Sequence, residues 1–97
     1  MGVPEITLQQ LGGNKFIAMT GAKHIYKDGD TLQFRIGRNK SKANMIRIEY
    51  NEGMDLYNMV FGRIAKTEYK EVKRLDGIYS DQLKELFTDF TGLYTKL

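Results

Sequence analysis

The chain contains no cysteine and a single histidine. Without cysteine it has no disulfide framework, no thiolate nucleophile and no Cys-ligated zinc, which fits a cytosolic interior. His24 follows Lys23 and has no second histidine to share a metal. It therefore reads as a surface or structural histidine, since a hydrolytic dyad needs a positioned partner. No run approaches the roughly 18 apolar residues that a bilayer crossing needs. The opening MGVPEITLQQ lacks the basic and apolar regions of a secretion signal, and Ile6 stands where a myristoylation pattern wants Ser or Thr. Linkers, low-complexity tracts and repeats with a period of roughly 20–50 residues are missing as well. These absences point to one soluble, cytoplasmic domain over residues 1–97, with no membrane partner and no cofactor.

What remains is enough for a packed core. Ninety-seven residues suffice for a domain that folds alone, and 41% apolar content with five Phe and six Tyr argues against disorder. Fifteen basic against twelve acidic residues leave a net charge of +3. That balance is mild for a dedicated nucleic-acid binder, so the distribution of charge matters more than its sum.

Thr7 is placed to cap a short helix whose Leu8 and Leu11 share a face, with Gly12 or Gly13 ending it in a left-handed conformation. Lys15 to Met19 reads as a strand, and the unbroken Phe-Ile-Ala-Met suggests burial on both faces. Lys23 to Lys27 and Thr31 to Ile36 form a hairpin about Asp28-Gly29, a dipeptide suited to a type I′ turn. In its second arm Leu32, Phe34 and Ile36 face the core while Thr31, Gln33 and Arg35 face water. Asn44 to Tyr50 alternates likewise, with Ile46, Ile48 and Tyr50 inward and Met45, Arg47 and Glu49 outward. After the Asn51-Glu52-Gly53 turn, Leu56 to Ile64 is its partner, with Tyr57, Met59 and Phe61 as one set and Leu56, Asn58 and Val60 as the other. Ala65 to Leu75 fits an exposed helix or a polar strand, and a last antiparallel arm would complete the meander. Asp76-Gly77 reads as a turn. Ser80 caps a closing helix, Asp81 to Phe90, whose Leu83, Leu86, Phe87 and Phe90 make one apolar stripe ending at Gly92. The expected fold is α+β: an antiparallel meander of five or six strands packed by a C-terminal helix and a short N-terminal helix.

Enzymatic constellations do not assemble from these residues. Glu49, Glu52 and Asp55 gather about one turn but lack the spacing of a calcium loop. Leu11-Gly12-Gly13-Asn14-Lys15 lacks the Gly-Lys-Ser/Thr ending of a phosphate loop, and its glycines follow a helix instead of opening one. The feature that stands out is basic. Arg35, Arg38, Lys40, Lys42 and Arg47 fall in a stretch with no acidic residue. Arg35 and Arg47 project from the wet face of two strands, and the other three line the Gly37–Lys42 loop between them. On neighbouring strands the five would converge on one solvent-facing patch, which Lys15 or Lys23 could extend. Five phosphate contacts give a log–log salt slope of about −4 to −5 on duplex DNA. The competing reading is a solvated loop that keeps a sheet edge soluble. A single-strand binder would add aromatics to the wet face. Phe34 and Tyr50 instead point inward, and Tyr26, Tyr57 and Tyr94 are left unplaced. A recognition helix is not in view either, because the closing helix carries only Lys84 on its wet side.

QQLGGNKFIAMTGAK, followed by Leu32-Gln33-Phe34, Ile46-Arg47-Ile48, Asp55-Leu56-Tyr57, Phe61-Gly62-Arg63-Ile64 and Asp81-Gln82-Leu83…Thr91-Gly92-Leu93, resembles a family of small proteins from bacteriophages, prophages and other mobile elements. The resemblance covers nearly the whole chain. It implies a bacterial host cytoplasm as workplace, and it brings no activity and no catalytic residues with it. Two functional expectations follow. One is a non-enzymatic accessory that binds nucleic acid through the basic strand–loop–strand segment with little sequence preference. The other is a protein-interaction module, such as an inhibitor of a host defence enzyme or a self-associating factor. An exposed Phe16–Met19 strand would favour a homo-oligomer.

Overall fold

The alternating stretches pair with one another. In the computed structural model, which describes residues 2–93, five strands form an antiparallel meander in the order β1-β2-β3-β4-β5. They are β1 Lys23–Asp28, β2 Thr31–Arg35, β3 Met45–Asn51, β4 Leu56–Ala65 and β5 Glu68–Ile78. Helices α1 Val3–Leu11, α2 Asn14–Thr20 and α3 Leu83–Thr91 supply the other layer. The class is α+β, with a C-terminal helix and a short N-terminal one. Leu32, Phe34, Ile46, Ile48, Tyr57, Met59 and Phe61 line the helix-covered face and meet Leu11, Phe16, Leu83 and Phe87 in one core. Phe16 stands edge-on to Phe34 at 5.3 Å and to Phe87 at 5.1 Å between centroids. Full burial of side chains this large contributes about 1.5–3 kcal/mol each. Among the described residues no helix is long and apolar enough to cross a membrane.

Several local expectations are corrected. Lys15 to Met19 is not a strand but most of α2, so the sheet stops at five strands. Phe16 and Thr20, four apart, are buried while Ala18 is exposed, which is helical and not alternating burial. The segment therefore packs into the chain's own core and offers no exposed apolar strand for dimerisation. Thr7 does not cap α1; it lies buried inside it, and its hydroxyl donates to the Val3 carbonyl at 3.0 Å. The helix starts earlier because Pro4 presets the first turn, where its missing N–H costs nothing. Gly12 does end it, donating to Leu8 and Gln9 carbonyls.

The first hairpin turns at Gly29-Asp30, one residue later than expected, because Asp28 still pairs with Thr31. Only Gly29 there has positive φ, 58°, which excludes the type I′ turn. Asp76-Gly77 is not a turn: Gly77, at φ 68°, lies inside β5 where the pairing with β4 shifts, and the strand continues to Ile78 opposite Tyr57. Ser80 does not cap α3 with its side chain. A 3₁₀ turn, Ser80–Gln82, leads in, and the Gln82 Oε1 accepts from the Tyr79 N–H at 3.0 Å. At the other end Gly92, at φ 77°, donates to the Thr88 carbonyl as a C′ glycine should, and Leu93 packs against the core.

The sheet's second face is not uniformly wet. Met45 and Val60 point there, yet both are buried outside the main core. Tyr69 lies across Gly62, so closely that a Cβ at residue 62 would collide with its ring. Gly62 pairs with Met45, and the tyrosine thus roofs a small apolar stripe.

Candidate nucleic-acid interface

The loop joining β2 to β3 is built before it is charged. Asn39 organises it: its Nδ2 donates to the carbonyls of Gly37 at 2.9 Å and Ala43 at 2.7 Å, and its Oδ1 accepts from the N–H and hydroxyl of Ser41. Asn44 continues the ladder with its side chain, exchanging bonds of 2.8 and 2.7 Å with the backbone of Ile64. The loop also finishes two helices. The Gly37 N–H donates to the Thr20 carbonyl of α2, and the Lys40 N–H to the Thr91 carbonyl of α3. Helix C-termini leave such carbonyls unpaired and carry partial negative charge, so cationic side chains are favoured here. This alone explains part of the loop's composition.

The five expected cations divide. Arg35 and Arg47 occupy the sheet face opposite the helices, paired with Met45 and Gln33 respectively. Arg38 and Lys42 line one concavity beyond the strand ends, together with Ile36, Asn39 and Asn44. Lys40 is turned away from them, its methylenes within 3.4 Å of where a Cβ on Gly92 would stand. Arg47 lies farther down the sheet, with Nε 3.9 Å from Glu49 Oε2. The anticipated patch on one solvent face is therefore replaced by a basic end of the sheet, with Arg47 outside it. The reason is the loop's attachment to α2 and α3, which pulls its cations past the strand ends.

Arg63, which is not among the five cations the sequence points to, belongs to this end. It lines the same concavity, and its Nη1 donates to the Lys42 carbonyl at 2.7 Å. The signal was available in the hairpin register: Asn51 faces Leu56 and Met45 faces Gly62, which sets residue 63 beside the loop.

Charge is segregated along the strands. Lys23, Arg35, Arg38, Lys40, Lys42, Arg63 and Lys66 lie at the end that holds the β2–β3 loop and the β4–β5 turn. Asp28, Asp30, Glu49, Glu52, Asp55 and Asp76 lie toward the end that holds the other two turns. Glu68 and Glu71 are the acidic exceptions among the strand residues of the basic end, and Asp89 stands in the last turn of α3, which the loop caps. Lys27 and Arg74 are cations of the acidic side, and both are ion-paired there, Lys27 with Glu5 at 3.3 Å; Arg74 is the more fully engaged. It meets Asp76 at 2.9 Å and Glu49 at 3.4 Å, and its pKa is raised, chiefly by the charge of Asp76.

The remaining sequence candidates stay apart from this end. His24 is exposed in the irregular start of β1, at φ 54°. Glu49 is engaged by Arg74 and Asp55 by the Tyr50 hydroxyl, and among the described residues no three acidic or histidine side chains gather to hold a metal. Tyr57 is buried, Tyr26 is exposed on the edge strand, and Tyr94 lies outside the described residues. Comparison with protein-family models, with curated proteins and with solved structures finds no match.

Proposed function

We propose that the protein is a non-enzymatic accessory of a phage or mobile element, working in a bacterial host cytoplasm and binding nucleic acid through its basic end. One observation carries this reading: Arg38, Lys42 and Arg63 surround a common concavity, while Asp28, Asp30, Glu49, Glu52, Asp55 and Asp76 are gathered at the far end of the strands. A chain with this charge distribution is oriented by a phosphate backbone before contact, basic end first. Arg35, Lys23 and Lys40 border the concavity's end of the molecule and add to the field. Asn39 holds the backbone of the loop that carries Arg38 and Lys42, so little backbone ordering entropy is lost on binding. Contacts of this kind grip phosphates and do not read bases, so sequence preference is poor.

The test is to replace Arg38, Lys42 and Arg63 with Glu and follow a labelled oligonucleotide by fluorescence anisotropy in low salt. Retention is expected to vanish while the fold is kept, because all three side chains are exposed and only Arg63 gives up a hydrogen bond, the one to the Lys42 carbonyl. Lys40 is left intact, since its stem packs on the end of α3. No binding by the unaltered protein, to duplex or single strand, sinks the reading.

A protein-interaction role, for example inhibition of a host defence enzyme, is the second reading. It is favoured by the opposite, acidic end, which a nucleic acid would avoid.

A further inference from the structure

At that opposite end a crevice opens between α1, the β3–β4 hairpin and the lead-in to α3. Tyr50, Tyr57 and Tyr79 supply aromatic walls, Val3 and Ile6 an aliphatic one, and Asp55 a carboxylate. The volume is about 310 Å³. Tyr50 and Tyr57 lie 5.1 Å apart with rings tilted by 52°. The Tyr50 hydroxyl donates to Asp55 Oδ1 at 2.6 Å, which fixes the carboxylate at the rim and leaves Oδ2 to accept. Among the described residues no basic side chain forms an ion pair with Asp55, whereas Glu5 and Asp76 each have one and Glu49 has two.

We propose that this crevice receives the guanidinium of an arginine side chain presented by a partner protein. The chemistry of the walls selects it. Tyrosine faces attract cations through their quadrupole, and a planar guanidinium stacks on them while its N–H groups reach a carboxylate. The aliphatic wall of Val3 and Ile6 suits the three methylenes of the stem. Anions are repelled by Asp55 with Glu52 nearby in the same turn. A neutral chain would leave the carboxylate's free oxygen without its charge partner. The inference is independent of the basic end, and each can fail alone.

The probe is N-acetyl-arginine-N-methylamide, titrated into the labelled protein and followed by two-dimensional NMR, with the citrulline analogue as uncharged control. A single cation–π contact with one charge-assisted bond predicts a Kd of roughly 1–10 mM. Saturable shifts are expected at Tyr50, Asp55, Tyr57 and Tyr79 with arginine, and about tenfold weaker binding with citrulline. Asp55→Asn should weaken arginine binding about tenfold; it keeps an acceptor for Tyr50 and tolerates the positive φ at that residue. Tyr79→Ala, a change at an exposed ring, should weaken it too while the spectrum elsewhere stays the same. Equal shifts from arginine and citrulline, or an unchanged Kd in Asp55→Asn, would overturn the proposal. So would arginine shifts that map to Glu68 and Glu71 and not to the crevice.

Discussion

Arg63 donates through Nη1 to the carbonyl oxygen of Lys42 across 2.7 Å, tying the end of β4 to the basic loop. The bond uses one of five guanidinium N–H groups and leaves the others for a ligand. Arg63→Ala should therefore cost both a phosphate contact and the loop's anchor. The salt slope of oligonucleotide binding is expected to fall by about 0.9, and affinity near 50 mM salt by roughly tenfold. Arg63→Lys should restore most of the slope without restoring the bond. A titration at four salt concentrations checks both, and an unaltered slope in the alanine variant removes Arg63 from the interface.

Lys42 separates charge from backbone. Its φ is 66°, a left-handed conformation that costs a side-chain-bearing residue about 1 kcal/mol and glycine nothing. Lys42→Gly relieves that strain and at the same time makes the unfolded chain more flexible, so stability should change by less than about 1 kcal/mol. Nucleic-acid binding should nevertheless weaken, because one cation is gone. Urea unfolding together with anisotropy decides the point. Full affinity in Lys42→Gly would mean that the loop's shape matters and its charge does not.

Where burial is one-sided and long enough to repeat, the sequence could be read. Leu32 with Phe34, Ile46 with Ile48, and Tyr57 with Met59 and Phe61 reach the core as their alternation requires. Leu83, Leu86, Phe87 and Phe90 do so at helical spacing. Asn14–Thr20 could not be read, because four successive apolar residues satisfy either period. What decides it is Phe16 wedged between Phe34 and Phe87, a relationship among three distant segments. Met45 is on the outward face that its alternation requires and is buried nonetheless, with Tyr69 of β5 lying across its pairing partner Gly62; Val60, whose set the alternation assigns to neither face, is buried on that side too. The basic end follows the same rule. Arg38 and Lys42 lie four apart in one loop and are visible together in the sequence, whereas Arg63 is brought to them by strand register.

The helical reading of residues 14–20 has a sharp mutational signature. Phe16→Ala removes a fully buried ring and should destabilise by about 3–5 kcal/mol, a large part of the roughly 5–15 kcal/mol that holds a domain of this size. Ala18→Glu should be nearly neutral, within about 0.5 kcal/mol, because Ala18 faces solvent. In a strand residues 16 and 18 would share a face, and both changes would be severe. Denaturant midpoints for the two variants distinguish the arrangements.

Tyr50 makes the alkaline limb of stability predictable. Its hydrogen bond to Asp55, then burial, then the Asp55 charge push the phenol up to about 12 from its ordinary 10.0. The folded state thus holds the proton more tightly than the unfolded state does. The stabilisation is complete below about pH 10 and is lost as pH rises from there to about 12, where the folded phenol also ionises. Asp55→Asn removes the charge and part of the hydrogen-bond strength, so the phenol should titrate closer to 10 and the alkaline loss of stability should be smaller and end at lower pH. Tyrosinate absorbance of the folded protein, read against a Tyr50→Phe control, reports the shift directly. If the late-titrating component persists in Asp55→Asn, the carboxylate is not what holds the proton, and the rim of the crevice is arranged differently from the geometry described.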